Sequence, residues 1–416
     1  MFKRVPGTKD ILPDEVYCWQ KIEEIARNIF SFYNYKEIRP PLIEEAGLFN
    51  RSLGETTEVV QKQMFLLAGE KDGFCLRPEG TSSVVRAYLE NNLDKNFGFM
   101  KLYYIGPMFR RERPQKGRLR QFHHLGCEVI GSCDALVDIE VVSLAHKLLA
   151  AFSIDGFEIK INSLGCLKDR KELSSVLQKG LKDKVNCLCE DCRNRFSRNI
   201  LRILDCKNEA CKEIVNKLDI RDAHLCSDCK THFSQVKTGL DTLKIPYKIT
   251  PYLVRGLDYY TRTVFEITHS GLGSQDALGA GGRYDDLISQ LGGPQLGAIG
   301  FAFGIERLLL ASKFKLQLQE KNLVYTIALG QEAKEANLKL LNILRSASIP
   351  CDTDYEGKSL KGALRKANDL RARFAAIIGE DELKKGVVTL KDMVSGEQKE
   401  LRPEELVEEA RKADIC

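Results

Sequence analysis

Long apolar stretches are missing from the 416-residue sequence. No run approaches the roughly 18 consecutive apolar residues that a membrane-spanning helix needs, so an integral membrane protein is not expected. The first residues, MFKRVPGTKDILPD, are basic but lead into no apolar segment, and a secretory signal is not expected either. These absences together predict a cytoplasmic protein.

The two common nucleotide-binding fingerprints are also missing. The sequence has neither GxxxxGK[ST] nor GxGxxG after an apparent strand, so any nucleotide chemistry is not expected on a P-loop or a Rossmann fold. The glycine-dense segment GAGGRYDD at 279–286 would let the backbone approach a ligand closely. Such a segment alone does not identify the ligand.

The composition is that of a chain with several folded domains. Hydrophobic residues make up 43% and charged residues 29%, which is enough for sizeable cores. At roughly 150 residues per domain the length suggests about three domains. The net charge of +5 is too small to identify a partner. Without an export signal we expect the 14 cysteines to be reduced, although seven of them crowd into one stretch: Cys187, Cys189, Cys192, Cys206, Cys211, Cys226 and Cys229.

The pattern of elements predicts an α+β fold. We expect an amphipathic helix at 13–33, an edge or interface segment around the prolines at 40–41, and an antiparallel hairpin at 97–131. Further strand-like segments are 159–165, 251–269 and the start of 296–312. The stretch 168–240 is polar, cysteine-rich and helical. We therefore expect one antiparallel-sheet domain with flanking helices, interrupted by a helical insertion.

The pattern of predicted strands and helices changes after a charged linker at 313–322. Strands and helices alternate from residue 323 onward. This alternation predicts a small C-terminal α/β domain with a mixed, mostly parallel sheet.

Three segments carry side chains suited to a phosphate or nucleic-acid ligand. The hairpin loop RRERPQKGRLR (110–120) holds six basic residues and one acid, and arginine binds phosphate oxygens bidentately. Arg307 lies in an apolar strand–helix junction, where an unpaired charge is costly. LVRGLDYYTRTVFEI places Arg255 and two tyrosines on one predicted strand. The alternatives are a solvated turn, an ion pair of Arg307 with Glu306 or another acid, and core aromatics with exposed charges.

In their order along the chain, these segments resemble a known family. FRRERPQKGRLRQFHHLGCEVIG resembles motif 2 of class II aminoacyl-tRNA synthetases, GAIGFAFGIERLLL resembles motif 3, and the first helix with IRPPLIE resembles motif 1. LVRGLDYYTRTVFE and ALGAGGRYDDL are similar to the two signature peptides of the histidyl-tRNA synthetase family, and RPEGT (77–81) also fits it. The resemblance covers nearly the whole chain.

The resemblance implies a ligase that uses ATP with Mg2+ to form histidyl-adenylate and then transfers the histidyl group to tRNA. The first step needs alignment and charge neutralisation more than covalent help, so arginines suit it. By motif position, Arg110 is expected at the α-phosphate and the histidine carboxylate, Arg255 at the α-phosphate, and Arg307 at the γ-phosphate. Glu112 is expected at ATP.

The same resemblance implies a set of histidine-binding residues: Glu79, Gly80, Thr81, Arg110, His124, Glu128, Arg255, Tyr259, Tyr260 and Tyr284. Glu128 and Tyr260 would bond the imidazole nitrogens, with Tyr259 beside them. Glu79 and Thr81 would take the ammonium group. A site whose buried polar groups stay unpaired with the wrong substrate discriminates strongly without editing. Arg283, in the second signature peptide, is expected at the pocket as well.

One position departs from the family pattern. His124 stands where the family usually has a glutamine that contacts the amino acid. A neutral imidazole replaces one donor or acceptor but not the combination that an amide offers. The details of substrate contact therefore depend on His124.

The resemblance also implies domain roles and partners. Arg113 and Gln115 match residues that the family places near the extra 5′ guanosine and the discriminator base of its tRNA. Residues 1–320 are expected to form the catalytic domain, 168–240 an insertion near the tRNA acceptor stem, and 323–416 an anticodon-binding domain that stacks and reads single-stranded bases. A homodimer is expected, with motif 1 at its interface.

The cysteine-rich insertion leaves two interpretations. CLCEDC (187–192) and CSDC (226–229) have the spacing of zinc ligands, with Cys206 and Cys211 between them. The candidate ligands are Cys189, Cys192, Cys226 and Cys229. Because the family carries this insertion with variable cysteines, we favour reduced core thiols over bound zinc.

Two rival functions remain. One is the regulatory paralogue that partners ATP phosphoribosyltransferase without ligase activity. That paralogue typically lacks an anticodon domain and the motif 2 and signature arginines, whereas Arg110, Arg255, Arg307 and 323–416 are all present here. The other is a class II synthetase of different specificity, such as prolyl or threonyl, which the peptide RGLDYYTRTVFE disfavours.

Overall fold

The computed structural model describes residues 2–55, 57–69, 73–115, 117–218, 220, 222–273, 276–313 and 322–412. The chain divides into two compact units, Met1–Leu316 and Gln317–Cys416. Most of the expected linker at 313–322 lies outside the described residues. No helix within the described ranges is long and apolar enough to cross a membrane.

A large sheet forms the centre of the first unit. The strands of this unit are β1 (Lys36–Glu37), β2 (Ile43–Glu45), β3 (Phe65–Leu66), β4 (Phe74–Leu76), β5 (Met100–Phe109), β6 (Gln121–Ile130), β7 (Phe157–Ser163), β8 (Lys248–Ile249), β9 (Thr261–His269), β10 (Ala277–Arg283) and β11 (Ala298–Gly304). Eight of them pair in the order β1-β5-β6-β11-β10-β9-β7-β8, and β2-β4-β3 form a small second sheet. All pairings in the large sheet are antiparallel except those at its two edges. The predicted antiparallel hairpin is thus confirmed as β5–β6.

The helices of this unit are α1 (Pro13–Phe32), α2 (Ala46–Leu53), α3 (Thr81–Glu90), α4 (Leu93–Asn96), α5 (Ala135–Ala151), α6 (Leu167–Leu181), α7 (Glu190–Arg198), α8 (Glu209–Asn216), α9 (Ser227–Thr242), α10 (Leu287–Gln290) and α11 (Ile305–Ala311). Short 3₁₀ or π segments lie at Val59–Gln63, Lys182–Cys187, Ile200–Asp205, Asp222–His224 and Ser270–Leu272. Helix α1 begins with Pro13, whose missing N–H is tolerated in a first turn. Helices α6 to α9 lie between β7 and β8 in the chain. Helices α6 to α8 enclose a separate small core, whereas α9 belongs to a core on the large sheet.

The two faces of the sheet have different partners because side chains alternate along each strand. On β5, Tyr103 joins a core with α1, α5, α9 and α11, whereas Leu102 and Tyr104 join a core with α2 and α3. On β6, Cys127 lies in the first core, and Glu128 pairs across the strands with Leu102 and so shares its face. A buried carboxylate on an apolar sheet face needs specific partners.

The expected strand over 251–269 is wrong in its first half. Strand β9 begins only at Thr261, and residues 251–260 form turns. Pro251 has no N–H to donate to a neighbouring strand, so an extended start is disfavoured. Arg255 and the two tyrosines that follow it therefore lie on a loop.

The second unit is built on a five-stranded sheet. Its strands are β12 (Val324–Ala328), β13 (Cys351–Thr353), β14 (Phe374–Ile378), β15 (Val388–Asp392) and β16 (Gln398–Leu401), and its helices are α12 (Ala333–Ser346), α13 (Leu360–Asp369), α14 (Glu380–Lys385) and α15 (Pro403–Lys412). The strand order is β13-β12-β14-β15-β16. The sheet is mixed, as expected, but two of its four pairings are antiparallel, so it is not mostly parallel.

Candidate active site

A cavity of about 770 Å³ opens on the sheet face that carries Glu128. Its walls come from the β5–β6 hairpin, strands β9 to β11, the start of α11, the loop before β9 and part of the helical insertion. Pockets of roughly 300–1,000 Å³ accommodate drug-sized ligands. The cavity can therefore hold a nucleotide and a small second substrate.

Arg110, Arg255 and Arg307, which lie far apart in the sequence, all line this one cavity. Arg110 Nε donates to the carbonyl oxygen of Pro78 (2.9 Å), and Arg307 Nε donates to the carbonyl oxygen of Gly117 (3.0 Å). These bonds fix both side chains without neutralising them. Among the described residues, neither Arg110 nor Arg307 has a carboxylate within ion-pair distance.

The alternative for Arg307, an ion pair with Glu306, is wrong. The Glu306 carboxylate accepts from the backbone N–H of His123 (3.0 Å) and lies 3.0 Å from His123 Nδ1. Burial lowers the pKa of Arg307, because its charge is partly removed from water. An anionic ligand would relieve that cost.

Arg255 differs from the other two because it has a counter-ion. Its Nη1 contacts Glu266 Oε1 on β9 at 2.5 Å. Its Nε is buried and has no hydrogen-bond partner among the described residues. Arg255 is therefore held in place and still has a donor to offer.

Glu128 is the centre of a buried hydrogen-bond cluster. It accepts from the hydroxyls of Thr81 (2.7 Å), Tyr284 (2.6 Å) and Tyr104 (3.2 Å). Burial raises the pKa of Glu128 to about 8, although the hydroxyl bonds act in the opposite direction. The facing residue, Gly300, is required here, since a Cβ atom would lie 1.8 Å from Glu128 Oε2.

Glu79 holds the N-terminus of α3 beside the cavity. Its carboxylate oxygens accept from the backbone N–H groups of Thr81 (2.7 Å) and Ser82 (2.9 Å), where a helix favours negative charge. Glu79 and Thr81 line the cavity, but Gly80 does not. A Cβ atom at Gly80 would lie 2.3 Å from the Tyr104 ring, so this glycine allows close packing behind the pocket.

Tyr259, Tyr260 and Tyr284 form an aromatic wall. The ring centroid of Tyr259 lies 4.6 Å from that of Tyr260 and 5.7 Å from that of Tyr284. Burial raises the pKa of Tyr260 to about 12, so its hydroxyl stays protonated at neutral pH. The wall can enclose a flat ring and offer it a hydroxyl.

His124 faces the cavity from β6. Its ring packs edge-on against Phe122 with centroids 5.1 Å apart, and its buried Nδ1 has no partner among the described residues. Burial, aided by the nearby Arg110 charge, holds the pKa of His124 well below its usual value. The imidazole is therefore neutral and has one nitrogen free for a ligand.

The hairpin loop divides its residues between the cavity and solvent. Glu112 lines the cavity and pairs with Arg118 at 2.9 Å. Arg113 and Gln115 are exposed and do not line it. A direct role of these two in small-substrate binding is therefore not supported, whereas a larger ligand could reach them.

The expectation that Arg283 lies at the pocket is wrong. Its side chain is fully buried and does not line the cavity. Its Nε donates to Asp138 (2.7 Å) and its Nη1 to Asp285 (2.9 Å), while the carbonyl groups of Ser132 and Asp134 accept its remaining donors. This arginine crosses from β10 to α5 and is structural.

Sequence reasoning missed several cavity residues. Tyr104, which bonds Glu128, carries no motif signal beyond its alternate position on β5, and Glu266 could be identified only once its contact with Arg255 was known. Asp205, Lys207 and Lys212 also line the cavity although they belong to the insertion. Such contacts between distant segments leave no local pattern.

The four cysteines considered as one zinc set do not lie together. Cys189 and Cys192 cluster with Cys206 and Cys211, whereas the two cysteines of CSDC, Cys226 and Cys229, cluster with Cys166 and Asp169. The grouping inferred from the two CxxC spacings is therefore wrong.

The antiparallel sheet, the basic hairpin and the arginine at the start of α11, all meeting at one cavity, define a class II aminoacyl-tRNA synthetase. The family model for histidyl-tRNA synthetase matches residues 7–308, and that for an anticodon-binding domain matches residues 323–413. The histidine--tRNA ligase of Thermodesulfovibrio yellowstonii is 47% identical over 98% of this chain and 97% of its own. The chain belongs to the histidyl-tRNA synthetase family.

Solved structures agree with this assignment. The crystal structure of apo S. aureus histidyl-tRNA synthetase is 36% identical, has a TM-score of 0.81, and the match covers 99% of this chain and 100% of that one. An ATP phosphoribosyltransferase regulatory subunit/histidyl-tRNA synthetase from Bacillus halodurans is 19% identical with a TM-score of 0.66, over 91% of this chain and 98% of that one. The second likeness shows the fold alone.

Proposed function

We propose that this chain joins histidine to its tRNA in two steps, through a histidyl-adenylate made from histidine and ATP. The observation that carries the proposal is the convergence of Arg110, Arg255 and Arg307 on one cavity. Glu128 does not line this cavity itself, but its hydroxyl partners Thr81, Tyr104 and Tyr284 do. The three arginines fit a triphosphate, and the Glu128 cluster fits a small ring with polar nitrogens.

The arginines supply the first step. When the histidine carboxylate attacks the α-phosphorus, negative charge grows on the phosphate oxygens, and fixed positive groups stabilise it. Arg110 and Arg255 act at the α-phosphate, and Arg307 acts at the γ-phosphate. Arg110 and Arg307 have no counter-ion among the described residues, so their charge is available to the ligand.

The Glu128 cluster selects histidine. A carboxyl group whose pKa is about 8 can accept from an imidazole N–H as a carboxylate or donate to a bare nitrogen when protonated. Tyr260 bonds the second ring nitrogen, and Tyr259 packs against the ring. A substrate without two ring nitrogens leaves buried groups unpaired and is rejected.

His124 and the RPEGT peptide complete the amino-acid site. Glu79 and the Thr81 hydroxyl take the ammonium group beside α3. His124, neutral and with Nδ1 free, supplies a single donor or acceptor where the family usually has an amide.

The carboxylates in the cavity fit the Mg2+ that accompanies ATP. Mg2+ prefers oxygen ligands and is commonly held by one or two carboxylates together with substrate phosphates. Asp276 lines the cavity, makes no ion pair among the described residues and is the residue that would hold it, whereas Glu112 and Glu266 already pair with Arg118 and Arg255. When bound, the ion would neutralise part of the triphosphate charge.

The tRNA reaches both units. Residues 1–320 form the catalytic domain, with 168–240 near the acceptor stem. Arg113 and Gln115 lie on the exposed loop, where the extra 5′ guanosine and the discriminator base of the tRNA would approach. Residues 323–416 form the anticodon-binding domain, which reads bases more by shape and stacking than by net charge.

The chain acts as a cytoplasmic homodimer. The segment after α1 exposes Leu42 and Ile43 at 40% and 53%, beside the prolines at 40–41. Apolar side chains left in water next to the motif 1 segment support an interface there. Light scattering of the purified chain at several concentrations tests it, and a monomer throughout would contradict it.

The test of the function is ATP–pyrophosphate exchange with each of the twenty amino acids. Exchange stimulated by histidine alone is expected. Stimulation by a different amino acid would overturn the specificity, and no exchange with any would favour a regulatory protein. In the same assay Arg255→Ala should lower turnover far more than ATP binding, because it acts on transition-state charge.

A further inference from the structure

Four cysteines of the insertion meet at one point although they come from three segments. Cys189 and Cys192 lie at the start of α7, Cys206 follows the 3₁₀ segment that ends at Asp205, and Cys211 lies in the first turn of α8. Their Sγ atoms all lie within 4.8 Å of one another.

The spacing of the sulfur atoms matches a tetrahedral metal site. With Zn–S bonds of about 2.3 Å, the edge of a sulfur tetrahedron is about 3.8 Å. The Sγ atoms of Cys189 and Cys206 are 3.8 Å apart, and all four thiols are free rather than joined in disulfides. The Cys189–Cys206 separation therefore equals the edge of such a tetrahedron, and no other pair of these sulfur atoms is more than 4.8 Å apart.

Backbone hydrogen bonds prepare the sulfur atoms to carry charge. The N–H of Cys189 donates to Cys211 Sγ (3.2 Å), and the N–H of Asn208 donates to Cys206 Sγ (3.4 Å). Among the described residues, the buried Cys75 belongs to no such sulfur cluster.

We propose that Cys189, Cys192, Cys206 and Cys211 bind one Zn2+ ion through four thiolates. The thiols lose their protons when the metal binds. Four thiolates without an open position are typical of a structural site, which stabilises the fold around it.

The site also supports the wall of the cavity. Cys206 lies between Asp205 and Lys207, and Cys211 precedes Lys212, and these three neighbours line the cavity. The metal would thus fix the part of the insertion that closes the active site on one side.

The second cluster is not included in the proposal. Asp169, which lies with Cys166, Cys226 and Cys229, already accepts from the backbone N–H of Cys226 (3.1 Å) and of Cys166 (3.3 Å). It acts there as a cap of α6. A single cysteine of this cluster, Cys229, provides a matched comparison.

Metal analysis of the full chain, purified under reducing conditions without chelator, tests the proposal. Cys192→Ser should lose one equivalent of zinc per chain relative to the unaltered protein. Cys187→Ser is the matched control, because Cys187 is exposed, lies in the same segment and belongs to neither cluster. It should keep the full zinc content.

A second measurement does not depend on how a variant folds. The unaltered protein, stripped of metal and reloaded with Co2+, should show the visible spectrum of tetrahedral cobalt with four thiolate ligands. Zinc-free protein that takes up no metal, iron in place of zinc, or an octahedral cobalt spectrum would overturn the proposal. So would a Cys192→Ser protein that holds as much zinc as Cys187→Ser, or zinc that only Cys229→Ser removes.

Discussion

Arginine side chains have opposite roles in two regions of the catalytic unit: in one their charge is available to a ligand, and in the other it is paired within the protein. At the cavity, Arg110 and Arg307 bond only backbone carbonyl groups through Nε and keep their charge available. Arg283, on β10, is fully buried between Asp138 and Asp285, and its guanidinium group donates hydrogen bonds to both carboxylates. The first region can bind an anion, and the second cannot.

The difference shows that sequence position alone does not assign a role to an arginine. Arg283 stands beside Tyr284 in a signature peptide, yet Arg283 ends β10 and bonds Asp138, whereas Tyr284 follows the strand and bonds Glu128. What the ligand-binding arginines share is a position in the wall of the cavity, which only the fold reveals.

Replacing Arg283 should have the largest effect on stability. Arg283→Met leaves the buried Asp138 unpaired, and breaking a buried ion pair from one side costs about 3–5 kcal/mol of unfolding free energy. Urea unfolding measures it. Arg27→Met, at a half-exposed arginine paired with Glu23, is the control and should cost at most about 1 kcal/mol.

A double variant sharpens this prediction. Arg283→Met combined with Asp138→Leu should be more stable than Arg283→Met alone, because the fully buried Asp138 carboxylate is removed together with its partner. Asp285, the second partner of Arg283, still has Arg262 at 3.7 Å. If Arg283→Met were fully stable but inactive, the contrast between the two regions would fail and Arg283 would belong to the site.

Replacing Arg307 should have the next largest effect, and it should fall on catalysis. Arg307→Ala removes charge opposite the γ-phosphate and should lower the rate of ATP–pyrophosphate exchange by about 10²–10³-fold. The unfolding free energy should change little, since the side chain makes no ion pair among the described residues. A stability loss as large as that of Arg283→Met would contradict the comparison.

The sequence predicted most of the architecture and part of the site. The β5–β6 hairpin and the junction of β11 with α11 follow from local patterns, so they could be predicted. The start of β9 could not, because Pro251 and the turns after it interrupt an apolar pattern that looks continuous. Strand β16 was missed because its side chains are mostly exposed and show no apolar alternation.

The site residues divide in the same way. The motifs indicate Arg110, Arg255 and Arg307, whereas the grouping of the cysteines and the buried contact of Arg283 with Asp138 depend on which segments the fold brings together. Spacing within one segment says nothing about a partner that lies far away along the chain. Tyr104 was missed for this reason.

The buried acid Glu128 should have a smaller effect, which we expect in the pH dependence of the unfolding free energy. Its folded pKa of about 8 exceeds the ordinary value of 4.5, so between these values the folded state binds more protons than the unfolded one, and stability falls as pH rises. From pH 6 to pH 8 the loss should be about 2 kcal/mol for ligand-free protein. Urea unfolding at several pH values measures it.

Glu128→Gln is the control for this pH effect. The amide cannot titrate, so the difference between the two proteins isolates the contribution of Glu128. Equal pH slopes in both proteins would contradict a raised pKa. Histidine, by donating to the carboxylate, should lower that pKa and release a fraction of a proton on binding, which calorimetry in buffers of different ionisation enthalpy detects.

His124 should show the smallest effect. His124→Gln restores the amide that the family usually has at a position where Nδ1 has no partner among the described residues. One added or lost hydrogen bond is worth about 0.5–1.5 kcal/mol, so the KM for histidine should change by about 10-fold or less while kcat is kept. Because burial and Arg110 keep the imidazole neutral, replacing it should not alter the pH profile between pH 6 and pH 8. A pH profile that shifts on this substitution would mean that His124 titrates in the working range and that its charge, rather than its single free nitrogen, governs the contact with histidine.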